Sequence, residues 1–134
     1  VLVALRAACM ATDEAPIRQA VTWLKSVQQA DGGWGEGNDS YLDPELRGRG
    51  VRSGPAQTAW ALLGLMAADE ADSPAVARGI EFLLRTQTGG EWHDARFNAP
   101  GFPRVFYLKY HGYSRYFPYW ALVRFRNVHA GRLH

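Results

Sequence analysis

The sequence predicts an all-α protein built from about three stacked helical hairpins. Three observations carry this expectation. Apolar residues recur at steps of three and four, proline and capping residues open successive segments, and an internal repeat returns after 59 residues. Strand signals are nearly absent. With 134 residues and 47% hydrophobic content, the chain has the size of one domain and can bury a core.

Val1 to Ala11 is rich in Ala and Leu and free of breakers, which predicts a mostly buried helix ending near Thr12. The chain opens inside this helix with neither an initiating Met nor a cap, from which a fragment is expected. Cys9 is the lone cysteine; it excludes an internal disulfide and reads as a small buried hydrophobe. Asp13-Glu14-Ala15-Pro16 then marks the start of a second helix running to about Gln29, with Ile17, Ala20, Val21, Leu24 and Val27 as its apolar stripe. The stretch DGGWGEGNDSYLDPELRGRGVRSGP follows, and its 25 residues are too many for a passive connector. Helix three is expected from near Pro55, capped by Ser53, through AQTAWALLGLMAA. Asp72-Ser73-Pro74, a cap followed by proline, announces helix four through AVARGIEFLLRTQ. A second glycine-containing loop, TGGEWHDARFNAPG, leads into an aromatic segment, and a last helix is expected over roughly Tyr119 to Val128.

The aromatic segment, Pro100 to Trp120, holds nine of the 17 Phe, Tyr and Trp residues. On a helix, Phe102, Phe106, Tyr110, Tyr113 and Phe117 would fall within a sector of about 80°, with Arg104, Leu108, His111 and Arg115 pointing the opposite way. Pro103 suits a helix start and Pro118 the start of the next helix, while Gly112 marks a kink. Such a stripe has two readings. One is ordinary core packing. The other is the wall of a cavity for a ligand that is apolar or becomes cationic, since each ring face attracts a positive charge by about 0.5–1 kcal/mol when exposed and about 2 kcal/mol when desolvated.

The repeat pairs QAVTWLKSVQQADGGW with RGIEFLLRTQTGGEW. Ala20 matches Gly79, Trp23 matches Phe82, Leu24 matches Leu83 and Gln28 matches Gln87, each displaced by 59 residues, and Trp34 and Trp92 follow. The small residue admits a close helix approach, the Gln amide can satisfy open backbone groups at a helix end, and the glycines let the chain turn back. These units are expected to tie successive hairpins together on the outside, a structural rather than a catalytic role.

These residues resemble the QW repeats of the terpene cyclase family, and the likeness covers Val1 to about Asn127. GFP followed by FYL, Tyr110, Tyr113 and FP, together with SVQQADGGWGE and SGPAQTAWALLGL, is similar to the bacterial squalene-hopene cyclase branch. The resemblance implies a partial α/α toroid, about three hairpins of an α6-α6 barrel, as the C-terminal part of the cyclase barrel domain. It further implies an isomerase or lyase of hopanoid biosynthesis that protonates squalene or another apolar polyprenoid and guides polycyclisation to hopene or hopanol through carbocations, without metal or organic cofactor. A peripheral or monotopic place on the cytoplasmic face of the bacterial inner membrane, and a homodimer, are implied with it. Family cavity aromatics carry over onto Phe102, Phe106, Tyr110 and Tyr113. Asp31 and Glu36, in DGGWGE, match carboxylates that support the initiating acid indirectly, and Gln28, Trp34, Gln87 and Trp92 are the QW positions.

The family's initiating Asp-x-Asp-Asp motif does not occur in this sequence. Protonating an alkene needs a carboxylic acid kept protonated and made unusually strong, and Asp39 and Asp43 in a polar loop lack such surroundings. The chain alone is therefore expected to be inactive. The first repeat also has Gln19 in place of the basic residue, and the second has a shorter loop without the Asp.

Two other functions compete. A protein prenyltransferase β-subunit has a similar helical toroid but needs zinc held by Asp, Cys and His, and Cys9, His93, His111, His129 and His134 show no ligand spacing. A noncatalytic helical module binding an apolar ligand or partner helix would keep the aromatic wall without the acid. A net charge of +2 is too small to imply a nucleic-acid partner, and no apolar run approaches the roughly 20 residues that span a bilayer. The basic run RFRNVHAGRLH reads as a solvated helix end, with anionic head groups as the alternative contact.

Overall fold

The computed structural model describes residues 1–49, 51–97 and 99–131. His134 and the end of the basic C-terminal run lie outside the described residues. The chain is mostly helical, with α1 (Leu2–Ala7), α2 (Ala15–Ser26), α3 (Pro55–Ala67), α4 (Pro74–Thr86) and α5 (Tyr113–Ala130). Two 3₁₀ turns, Asn38–Tyr41 and Pro44–Leu46, lie in the first long loop, and one antiparallel pair, β1 (Ala99–Phe102) and β2 (Phe106–Leu108), lies before α5.

Helix α3 is the centre. It contains no charged residue and is apolar on every side, so it must be surrounded; 11 of its 13 residues are buried. The other four helices all pack on it. Leu62 and Leu65 of α3 join Ile17 of α2 and Val76 and Leu83 of α4 in the fully buried core. Helix α2 buries Ile17 and Val21 from its expected stripe.

The proline signals place α3 and α4 well. Ser73 caps α4 as expected, its hydroxyl accepting the Val76 N–H at 3.4 Å. Ser53 does not cap α3; Gly54 holds the cap position and the Ser53 hydroxyl instead donates to Asp31 Oδ1 at 2.7 Å. Helix α1 ends about five residues earlier than expected. The backbone turns left-handed at Cys9 (φ 62°), where the Met10 N–H returns to the Leu5 carbonyl at 3.0 Å. Cys9 is thereby exposed rather than buried. Helix α3 ends in the same way, with Asp69 at φ 62° and the Glu70 N–H on the Leu65 carbonyl at 3.1 Å.

The largest correction concerns the aromatic segment, which is not one helix. Residues 99–108 form a β-hairpin with Ala99 opposite Leu108, Pro100 opposite Tyr107 and Phe102 opposite Phe106. The physical reasons are local. Pro103 drives Phe102 into extended backbone, Gly101 is a poor helix former, and Val105-Phe106-Tyr107 favours a strand. The chain reverses at Phe102-Pro103-Arg104-Val105, where the Val105 N–H meets the Phe102 carbonyl at 2.9 Å and Arg104 takes φ 68°. Helix α5 then begins at Tyr113, six residues earlier than expected, and runs through Pro118. Pro118 does not begin a new helix; its ring is buried, and the α-helix forgoes the bond that an N–H at that position would give.

Candidate functional site

The five rings expected on one helical sector are divided between the hairpin, the link to α5 that carries Tyr110, and α5 itself. Phe102 and Phe106 face each other across the strands in an edge-to-face pair, centroids 5.5 Å apart. Tyr110 stacks on Tyr113 at 4.9 Å, and Tyr113 meets Phe117 edge-on at 5.2 Å. The five therefore form two ring groups. Phe117 packs against the core, whereas Phe102 is 64% exposed, Phe106 44% and Tyr110 50%. These three rings are thus not covered by the described residues of this chain.

Trp60 on α3 extends the second group. Its indole lies edge-on to Tyr113 at 5.7 Å and to Phe117 at 5.4 Å. Sequence reasoning missed this residue. The available signal was a single large ring in the otherwise small and aliphatic run of α3. Beyond Trp60 lies a groove of about 280 Å³ lined by Trp23, Val27, Trp34, Glu36 and Gln57 as well. Gln57 fixes the Glu36 backbone reciprocally, donating to its carbonyl at 2.9 Å and accepting its N–H at 3.1 Å. Glu36 also lines an adjoining hollow of about 330 Å³ with Trp23, Tyr41, Arg47 and Arg104. The two spaces thus share Trp23 and Glu36.

Asp31 is not brought to this groove. Its carboxylate accepts the Gly33 N–H at 3.0 Å and the Ser53 hydroxyl at 2.7 Å, which folds the loop ahead of α3. The other expected carboxylate, Glu36, is the one beside the aromatic space.

Gln28 and Trp34 reach from the first repeat to the second. The Gln28 amide donates to the carbonyls of Gly32 and Ala75, both at 2.8 Å, and its oxygen accepts from Arg78. The Trp34 indole N–H takes the Leu24 carbonyl at 2.8 Å, and Trp92 repeats this on Leu83 at 2.8 Å, each closing its own helix end. A Cβ on Gly79 would lie 2.8 Å from both Leu62 Cδ2 and Trp34 Cζ3, so glycine is what lets α4 approach them. Gln87 makes no side-chain hydrogen bond among the described residues.

The two long loops are joined through arginines. Arg96 grips Asp94 with Nε at 2.8 Å and Nη2 at 3.0 Å and donates Nη1 to the Arg52 carbonyl at 2.5 Å. At the hairpin tip, Arg104 Nε donates to the Tyr41 carbonyl at 2.7 Å. The Asn38 amide donates to the Phe97 carbonyl at 2.8 Å between them. Among the described residues, no group of three or more His, Cys, Asp or Glu side chains is arranged to hold a metal. His93 and His111 instead border a polar hollow of about 150 Å³ with Glu91, Asp94, Lys109 and Arg115.

The decisive comparison is at the level of sequence family, where the profile of the squalene-hopene cyclase C-terminal domain matches residues 1–127. The chain belongs to the squalene-hopene cyclase C-terminal domain family. Its helices accordingly form a partial α/α toroid. The chain is 54% identical over 129 residues to the squalene–hopene cyclase of Bradyrhizobium diazoefficiens, covering 96% of this chain and 20% of that protein. It is 52% identical over 128 residues to the squalene–hopene cyclase of Zymomonas mobilis, covering 95% and 20%. The dammaradiene synthase of Dryopteris crassirhizoma is 42% identical over 139 aligned positions, covering 93% and 20%. The chain thus spans about a fifth of the length of the curated relatives it matches.

Proposed function

We propose that this chain is the C-terminal portion of a class II triterpene cyclase acting on squalene, and that its open rings stabilise carbocations during polycyclisation. The observation that carries the reading is the exposure of Phe102, Phe106 and Tyr110 in a segment matched throughout to a cyclase family. Rings that this chain's own core leaves open need another surface to cover them, and in this reading that surface is the substrate. A proton added to one end of the polyene leaves a cation that migrates as each ring closes. Converging ring faces lower such a cation by about 2 kcal/mol apiece once water is excluded, and each 1.36 kcal/mol is worth about tenfold in rate. Phe and Tyr rings resist trapping the cation covalently, as a carboxylate or amine would. The cascade ends when a proton leaves, giving hopene, or when water adds, giving hopanol.

The initiating acid belongs to a part of the protein outside this sequence, so the isolated chain is inactive in this reading. Glu36 supports that acid's surroundings from the groove beside Trp60, while Asp31 acts on the loop. Substrate is taken from a membrane surface, at the cytoplasmic face of the bacterial inner membrane, by a monotopic and homodimeric protein. Among the described residues no helix is long and apolar enough to cross a membrane.

Phe106→Ala, made in the gene product that carries this chain and assayed with squalene, is expected to release incompletely cyclised products. The late cation loses one ring face, which slows its productive step by about tenfold or more relative to quenching. Product analysis by gas chromatography reads the outcome directly. An unchanged product profile accompanied by lower thermal stability would return Phe106 to a purely structural role.

A further inference from the structure

We propose that Arg104 is a positioning residue that fixes the Phe102–Phe106 ring pair by clamping the hairpin tip to the first long loop. The proposal rests on the reading that these two rings face a reacting polyprenoid, and it adds the device that holds them there. Three contacts converge on the tip. The Arg104 backbone N–H donates to the Tyr107 hydroxyl at 3.0 Å, and its Nε donates to the Tyr41 carbonyl at 2.7 Å. The Tyr107 ring lies 6.0 Å from the Tyr41 ring. Tyr41 closes the 3₁₀ turn Asn38–Tyr41, so the anchor is a formed element.

The position of Arg104 is chemically costly for a turn alone. The reversal has proline at its second place and positive φ at its third, where glycine is the favoured residue. Arg104 holds that third place at φ 68°, accepting a conformation that side chains other than Gly, Asn and Asp rarely visit. Its guanidinium reaches 63 residues back along the sequence to a backbone carbonyl. Phe102 and Phe106 flank the turn directly, one on each strand. A shift of the tip therefore moves both rings together, and orientation errors of about 1 Å can cost a reacting system two orders of magnitude.

Arg104→Gly separates the two roles, because glycine suits the turn and removes the clamp. In the gene product that carries this chain, with squalene as substrate, the variant should still consume squalene. Its ratio of incompletely to fully cyclised products should rise by about threefold or more, with a melting temperature equal to or above the parent's. Tyr107→Phe, which removes only the hydroxyl acceptor, should shift the ratio in the same direction by less. A parent-like ratio in Arg104→Gly, at any melting temperature or total turnover, overturns the positioning role while leaving the cyclase reading standing. If the parent protein itself cyclises no squalene, the cavity reading fails first and the proposal falls with it.

Discussion

Thr58 is fully buried, and its hydroxyl accepts the Trp34 backbone N–H at 3.0 Å. Thr58→Val keeps the shape but strands that N–H, so we expect a loss of about 1–3 kcal/mol in urea unfolding. A loss within error would mean that this bond adds nothing beyond the other contacts of Trp34, such as the Gly54 N–H on its carbonyl at 2.8 Å. The contacts of Trp34 were partly readable from the sequence, because the 59-residue displacement aligned Leu24 with Leu83, whose carbonyls receive the two indoles. The conformation of Cys9 was not readable. An apolar neighbourhood reports burial only while the helix continues, and at Cys9 the backbone turns left-handed. Asp69 occupies the same place after α3, so comparing LRAAC with LMAAD would have revealed a shared helix stop.

At the level of elements, the hairpin was the feature that periodicity misread. Steps of four and three placed five rings on one side of an imagined helix, yet Pro103 and Gly101 oppose that helix locally. The five rings do not share one helical face. By contrast α3 and α4 were legible because proline at the first turn and an uninterrupted apolar pattern agree with one another. Gly101 shows how tightly the hairpin is built, since a Cβ there would fall 2.0 Å from Phe106 Cε2. Gly101→Ala should therefore expel the Phe106 ring from its edge-to-face contact with Phe102, at a cost of about 1–3 kcal/mol. Comparing the aromatic ring resonances of the variant with those of the parent tests this, and an unperturbed Phe106 would refute it.

Taken as a whole, the molecule is held by α3 rather than by its surface charges. The Lys25–Glu70 pair joins α2 to the turn after α3 at 2.6 Å but remains partly exposed. Lys25→Ala is expected to cost less than about 1 kcal/mol in denaturant unfolding, and a larger loss would assign this pair a structural weight that solvent screening should deny it. Charge is nonetheless divided along the chain: all thirteen acidic residues lie within 1–94, while 95–134 contains seven basic residues and none that is acidic. Contacts such as Arg115–Glu91 and His129–Asp72 join these two portions, the latter when the imidazole is protonated. That partition was visible in the sequence, but which groups meet depended on the path of the hairpin and α5. The arginine links between the two long loops also bear on recombination among related cyclases. A chimera that takes 38–46 from one parent and 99–108 from another sets the Arg104 side chain against a turn of different sequence, which can shift the carbonyl it grips, so those two stretches should be inherited as one block.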